Sequence, residues 1–358
     1  MSRTALAILN TDNLRYNLDI IKSHAPKSDI IAMVKANAYG HGLRSTALRL
    51  DGQVASFGVA SIDEALALRK VGIKSRITLM EGVFEPLELM SAANEQFEVV
   101  FHSAHQIAWL KEATLNTRLK VWLKVDTGMG RLGFNLNEAS AMTKMLEECY
   151  VEKPIGIMSH LACADDKENN NNIKQLSNFK NLIDNFEGPK SISNSAAIFN
   201  FPKYNYDVVR PGLALYGISP MRGILGSDLK LKPVMTLKTS LIAIRHVKKG
   251  ALVGYGGDYQ CEKDMPVGIL AMGYGDGYPQ KNPNKTPVLV NNARCHLIGR
   301  ISMDMAAVDL SSCPDARIGD EVTLWGAALP IEEIALHTER TAYDLLCAVQ
   351  ARVRFHWT

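Results

Sequence analysis

Between residues 10 and 218, short apolar runs rich in β-branched residues alternate with longer stretches of mixed polarity at helical spacing, and no other feature limits the fold as strongly. The runs cover residues 30–34, 56–60, 77–80, 98–101, 119–125, 155–160, 191–193 and 207–209. The first is apolar throughout, as a strand covered on both faces should be, and it stops abruptly at Lys35. After the second, Ser61-Ile62-Asp63-Glu64 reads as a capping box opening a helix that runs to Gly72. Eight strands with intervening helices fit a closed (β/α)8 TIM-type barrel, since no G-x-G-x-x-G follows the first strand as an open nucleotide-binding sheet would require.

After Pro220 the texture changes to short β runs (234–247, 266–272, 287–290, 293–301, 306–310, 321–325) separated by Gly, Pro and Asn turns, which reads as a mostly β second domain. The boundaries drawn from this pattern are 1–231 for the barrel and 232–358 for the β domain, with the first few residues as candidates to pair with the latter. A helix over 331–350 closes the chain, and the polar run 165–172 is a loop or helix start with no assigned chemistry. With 358 residues, 47% hydrophobic and 22% charged, the chain can bury two cores, which excludes a disordered or fibrous protein. A net charge of +3, dispersed along the sequence, gives no reason to expect a nucleic acid or membrane surface as partner, so a small molecule is expected. Six widely spaced cysteines without C-x-x-C pairs read as reduced, mostly buried thiols, and no metal site is expected. The beginning of the chain lacks the features of a signal peptide, and no run approaches the roughly 20 apolar residues of a membrane span, so a cytoplasmic location is expected.

A lone lysine at a strand end is ordinarily a solvated surface residue. Lys35, however, opens Val34-Lys35-Ala36-Asn37-Ala38-Tyr39-Gly40-His41-Gly42, at the strand ends where barrels carry their sites, and the small residues leave room for a ligand beside the ammonium. Desolvated there, the amine becomes a Schiff-base nucleophile. Further strand-end segments are Lys124 to Gly133 (K-V-D-T-G-M-G-R-L-G), Ser159-His160-Leu161-Ala162, Ser193-Asn194-Ser195 and Arg210-Pro211-Gly212-Leu213. Taken singly, His160 would pass as a structural histidine and the last two segments as turns. Barrel phosphate sites, though, are often built after strands 7 and 8. In the β domain, Val253-Gly254-Tyr255-Gly256, Gly273 to Tyr278 and Gly299 to Asp304 would each pass as hairpin glycines with a packing side chain.

In order and along nearly the whole chain, these segments resemble those of the alanine racemases, beginning with the cofactor-lysine motif V-K-A-N-A-Y-G-H-G. The resemblance implies a pyridoxal 5'-phosphate enzyme built as a (β/α)8 barrel with a C-terminal β domain. Lys35 would carry the cofactor, Tyr39 and Asn194 would contact it, and Ser195, Gly212, Leu213 and Tyr343 would bind its phosphate. Arg131 would hold the substrate carboxylate, a task suited to the fixed donor fork of guanidinium. Lys124 matches a lysine that is carbamylated in many family members and buttresses that arginine. His160 would orient and tune, standing between the pyridine ring and the second base. Arg210 would face the pyridine nitrogen; because guanidinium keeps its proton, the ring would be a weaker electron sink, which suits a racemase better than an aminotransferase.

Tyr255 would be the second base, Met303 would lend its backbone N–H to the substrate carboxylate, and Tyr274 would line the entrance, all three reaching the site of a partner subunit in a homodimer. Inverting an α-carbon needs acid–base groups on opposite faces, here Lys35 and Tyr255. A phenol of pKa about 10 needs cationic or hydrogen-bonding neighbours such as a His160–Arg210 chain to act near neutrality. The implied reaction is interconversion of L- and D-alanine, supplying D-alanine for peptidoglycan. A broad-specificity or serine racemase differs only in pocket volume. Amino-acid decarboxylases of the same fold usually place an acidic residue where Arg210 stands, and non-catalytic pyridoxal-phosphate carriers would have no use for Tyr255 or Met303. The departures from the family pattern are small: Leu213 where isoleucine is common, and Ser302 where cysteine is frequent.

Overall fold

A computed structural model describes residues 3–281 and 285–358. The chain divides into two compact units, one formed by Leu18–Leu215 and Ser219–Ile224, the other by the residues up to Asn17, Tyr216–Ile218 and Leu225–Thr358.

The first strand of the chain, β1 (Leu6–Leu9), belongs to the latter unit. The former is built on β2 (Asp29–Met33), β3 (Ser56–Val59), β4 (Arg76–Leu79), β5 (Glu98–Phe101), β6 (Lys120–Lys124), β7 (Gly156–Met158), β8 (Lys190–Ser191) and β9 (Val208–Val209). They form one parallel eight-stranded sheet in the order β8-β7-β6-β5-β4-β3-β2-β9. A parallel bridge between Asn194 and Arg210, just beyond β8 and β9, brings the two ends together, as a (β/α)8 barrel requires. The last strands are shorter than the apolar runs suggest. β7 stops at Met158, so His160 lies two residues past it, and β8 stops at Ser191.

Ile31, Met33, Met80, Val100, Trp122, Met158 and Val208 form one buried cluster of the barrel, with Tyr39 packed against it. The indole of Trp122 lies so close to Gly156 that a Cβ there would come within 2.3 Å of the ring, which explains a residue without a side chain in β7. Near the strand starts, buried Glu98 receives hydrogen bonds from Thr78 Oγ1 (2.9 Å) and Trp122 Nε1 (3.1 Å), and Lys120 and Arg76 neutralise it. The end of the barrel opposite the Lys35 mouth is thus held by a charged polar network around Glu98.

The helix after β3 starts at Ile62 and ends at Lys70, but the capping box is incomplete. Ser61 makes no side-chain cap, and Glu64 reaches the N–H groups of Ala60 and Ala36 instead. The polar run 165–172 leads into the helix Asn170–Ile183, capped by the Asn169 side chain on Asn171 N.

The other unit continues with β10 (Met235–Val247), β11 (Leu252–Val253), β12 (Tyr259–Gln260), β13 (Met265–Leu270), β14 (Pro287–Val290), β15 (Ala293–Ile298), β16 (Ala306–Asp309), β17 (Glu321–Trp325) and β18 (Arg354–Trp357). Its main sheet runs β13-β16-β15-β14-β17-β10-β1-β18, and β13 also pairs with β10, closing part of the sheet into a ring. β1 lies between β10 and β18, antiparallel to the first and parallel to the second. The single helix expected over 331–350 is two helices, Ile331–Thr338 and Ala342–Ala348. Glu339 ends the first in a left-handed conformation, and the Thr341 hydroxyl caps the second by accepting from Asp344 N. The expectation of mostly buried cysteines also needs correction: Cys261 and Cys295 are buried, Cys149, Cys163 and Cys313 are half-buried, and Cys347 is exposed, all as free thiols. Among the described residues no helix is long and apolar enough to cross a membrane.

Candidate active site

Lys35 follows β2 at the C-terminal end of the barrel and begins an unusual turn. Ala36, Asn37, Ala38 and Tyr39 all have φ between 51° and 55°, with ψ of 53°, 43° and 50° for the first three, a left-handed helical turn made without glycine. Each such residue costs about 1–2 kcal/mol relative to right-handed backbone, so the turn persists only because its surroundings hold it. Within the turn, Ala38 N donates to Val34 O (2.7 Å) and Gly40 N to Ala36 O (3.2 Å). From outside, Glu64 Oε1 accepts from Ala36 N (2.8 Å), and Asn37 Oδ1 accepts from Leu43 N (2.9 Å). Buried His41 directs Nδ1 at the carbonyls of Ala38 (3.2 Å) and Tyr39 (2.9 Å). Those acceptors require the proton on Nδ1. Burial pushes the His41 pKa down to about 4, so the ring is neutral.

Around the same mouth the structure gathers Lys35, Lys124, Arg131, His160 and Arg210 closely enough that Lys124 and His160 both feel the other cations. Lys124 ends β6, is 8% exposed, and has its pKa pushed down to about 8 by burial and by Arg210, Arg131 and Lys35, with Glu81 opposing. Arg131 is exposed, at the end of a loop that Asp126 shapes by accepting from the N–H groups of Gly128, Met129 and Gly130. Although burial works the other way, these donors keep the Asp126 carboxyl below its usual range.

Arg210, 4% exposed, has its pKa lowered to about 10 by burial. Its hydrogen bonds go to neutral acceptors: Ser191 Oγ, the carbonyls of Ser159 and Ile192, and His160 Nδ1 at 3.4 Å. Guanidinium has only donors, so His160 accepts at Nδ1 and keeps its proton on Nε2. Burial and the surrounding cations, Arg210 foremost, hold the His160 pKa well below its ordinary value. The His160–Arg210 pair expected from the sequence is therefore present.

On the last two barrel segments, buried Ser195 Oγ accepts from Gly212 N (2.7 Å) and Ala214 N (3.4 Å). Asn194 caps the helix Ser195–Asn200 by accepting from Ala197 N, and Leu213 is buried at the start of the 3-10 turn Leu213–Tyr216. A Cβ on Gly212 would come within 2.5 Å of Tyr39 Oη, so the phenol tip of the Lys35 turn abuts the Ser195–Gly212 pair.

Three remaining sequence candidates lie on exposed loops of the other unit, with Tyr255 69%, Met303 54% and Tyr274 37% exposed. Tyr274 N donates to Ser302 O (3.1 Å) and Gly275 N to Met303 O (2.8 Å), so two of the loops are laced together. The third packs against them at Gly299, whose Cβ would lie 2.6 Å from Val253 O. Tyr343, 43% exposed, is on the helix Ala342–Ala348 of the same unit.

Sequence reasoning overlooked Glu81, whose Oε1 lies 3.7 Å from Lys35 Nζ. Its place just beyond β4 was the same strand-end signal that singled out Lys35. Also missed was an ion cluster in the β unit. Fully buried Asp276 pairs with Arg3 (2.6 Å) and Arg352 (2.9 Å), and Arg352 also holds Asp304 (2.5 Å), beside the Tyr274 and Met303 loops. Its members come from both ends of the chain, which no local pattern reveals.

A barrel mouth where Lys35 stands among cations that outnumber the carboxylate beside them, joined in sequence to a β unit with exposed tyrosine loops, is the kind of face on which barrel enzymes carry their sites. Comparison with known proteins narrows this class. The alanine racemase N-terminal domain family matches residues 9–220 and the alanine racemase C-terminal domain family residues 234–357. The chain is 46% identical to an alanine racemase of Coxiella burnetii over 98% of both chains, and 45% identical to one of Legionella pneumophila over 99% of this chain and 100% of the other. It superposes on the biosynthetic alanine racemase from Pseudomonas aeruginosa with a TM-score of 0.97 at 39% identity, covering 99% of each chain. The match to the alanine racemase from Acinetobacter baumannii has a TM-score of 0.93 at 36% identity over 99% of this chain and 100% of that one. The chain belongs to the alanine racemase family, whose members are isomerases.

Proposed function

We propose that the protein interconverts L- and D-alanine with pyridoxal 5'-phosphate as cofactor. The observation that carries this is the unbalanced positive charge at the barrel mouth, where Arg210, Arg131 and Lys35 all act on Lys124, the same cations and Lys124 act on His160, and Glu81 is the carboxylate opposing them. Such a mouth suits two anions, a cofactor phosphate and a substrate carboxylate. The residues fit the cofactor on a second count. Buried Ser195 accepts two N–H groups, and its own hydroxyl hydrogen meets no acceptor among the described residues, leaving it for a phosphate oxygen.

Lys35 would hold the cofactor covalently, Ser195, Gly212, Leu213 and Tyr343 its phosphate, and Tyr39, Asn194, His160 and Arg210 its remaining edges. When bound, the cofactor supplies an electron-withdrawing ring that acidifies the α-hydrogen of the amino acid. Arg131 and the backbone N–H of Met303 orient the substrate carboxylate, and Tyr274 lines the entrance. Lys35 moves a proton at one face of the α-carbon and Tyr255 at the other. The exposure of Tyr255 supports its use by a second copy of this chain in a homodimer. Arg210, paired only with neutral groups, keeps its proton and gives the ring nitrogen a donor rather than an acid. With its pKa brought down to about 8, Lys124 holds a minor neutral fraction near neutral pH, and that amine adds carbon dioxide to form a carbamate beside Arg131, releasing one proton to solvent. The setting we propose is cytoplasmic, with D-alanine destined for peptidoglycan. Chiral analysis of products from L-alanine, L-serine and other L-amino acids, with purified cofactor-loaded protein, tests the reading. D-alanine should form fastest, and equal turnover of serine or no inversion at all would refute it.

A further inference from the structure

Glu64 sits in the first turn of the helix after β3 and is outside every role assigned above. Its two carboxylate oxygens are divided: Oε1 accepts from Ala36 N and Oε2 from Ala60 N, both at 2.8 Å. Ala36 is the first left-handed residue after Lys35, and Ala60 is the residue just past β3. One side chain therefore ties the start of the strained turn to the end of the neighbouring strand. The other supports of the turn, Asn37 Oδ1 and His41 Nδ1, act further along it.

We propose that Glu64 is a positioning residue for Lys35, holding the backbone directly after the lysine in its left-handed conformation so that the amine is aimed into the mouth. The inference rests on the reading of Lys35 as the cofactor-bearing lysine. A neutral amide in its place keeps one acceptor oxygen but turns an NH2 toward the other N–H, so Glu64→Gln preserves half of the clamp. Glycine adopts the left-handed region without steric penalty, so Ala36→Gly lowers the strain that the clamp opposes.

The test uses full-length protein, pyridoxal 5'-phosphate as probe and Glu64→Ala, Glu64→Gln and Glu64→Ala/Ala36→Gly as variants. It reads the rate of borohydride-trapped labelling of Lys35, kcat and KM for alanine, and amide hydrogen exchange over residues 34–41. Glu64→Ala should lose protection at Ala36 and lower both labelling rate and kcat by roughly 10- to 100-fold, while KM changes by less than about threefold. Glu64→Gln should fall between it and the parent, and the added glycine should recover most of the loss. A Thr78→Val variant, acting in the polar network near the strand starts, controls for general destabilisation and should leave labelling unchanged. Normal labelling and kcat in Glu64→Ala despite lost protection would overturn the proposal, as would a loss that Ala36→Gly does not relieve. Trapping of the cofactor on another lysine in the parent protein would instead overturn the reading of Lys35, a result the exchange data keep separate.

Discussion

The barrel mouth and the β-unit loops present their functional candidates in opposite ways. At the mouth, Arg210, Ser195 and Lys124 are buried, and His160 and Arg210 are tied to one another and to the barrel segments around them. In the β unit, Tyr255 and Met303 stand more than half exposed on loops rich in glycine, although the loops themselves are laced by backbone hydrogen bonds and lie beside the Arg3–Asp276–Arg352–Asp304 cluster. The contrast teaches that the barrel fixes its candidate side chains through its own packing and hydrogen bonds, while the β unit fixes only the backbone beneath them.

The largest expected effect separates the two regions. Lys35→Ala and Tyr255→Phe should each lower racemisation by about 10²–10⁴-fold, but only Lys35→Ala should abolish borohydride-trapped cofactor, as peptide mapping would show. Equal loss of trapping in both variants would erase the distinction between a cofactor-holding region and a proton-transferring one. Next comes Arg210→Glu, which replaces a permanent donor with an acid at the ring nitrogen. Racemisation should fall by about 10²-fold, and the ratio of pyruvate to D-alanine in the product mixture should rise. An unchanged ratio would mean that Arg210 does not face the ring. Gly212→Ala should be milder, because the added methyl must displace Tyr39 Oη at a cost of about 1–3 kcal/mol. Cofactor affinity measured by fluorescence titration should drop, with stability of the β unit unaffected.

The smallest effect concerns Lys124 and pH. Its pKa is 10.5 in an unfolded chain and about 8 in the fold, so between these values the unfolded state holds more protons. Its contribution to stability therefore rises with pH across that window, and below about pH 8 the full penalty of burying the ammonium remains. In carbon-dioxide-free buffer, Lys124→Met should raise Tm at pH 7 and flatten the pH dependence between 8 and 10. Parallel stability curves for parent and variant would contradict the assignment.

The barrel was legible because polar residues mark the strand ends: Lys35, Lys124 and Arg210 each stand at or just beyond the end of a strand. The left-handed turn was not, since Ala-Asn-Ala-Tyr carries no glycine and alanine is the strongest right-handed helix former. Glu64 was visible as a residue but assigned to a local cap, because one of its two partners, Ala36, lies 28 positions away. Long-range pairing hid the same kind of information elsewhere, from the Arg3–Asp276 ion pair to the seat of β1 between β10 and β18. The helix break at Glu339 was available in Thr341 and Asp344, a cap and its donor three residues apart, but apolar periodicity on both sides concealed it.

The central claim is that each site joins the barrel mouth of one copy to the loops of another, and complementation tests it most directly. Lys35→Ala and Tyr255→Phe proteins, each expected to keep at most about 1% of the parent activity, are mixed in equal amounts with subunit exchange followed independently by mass-tagged chains. Random pairing makes about half the dimers mixed, and each mixed dimer has one intact and one doubly defective site, so activity should recover to roughly a quarter of the parent value. Demonstrated exchange with activity remaining at zero would contradict the claim and assign Tyr255 to the lysine of its own chain or to no catalytic role.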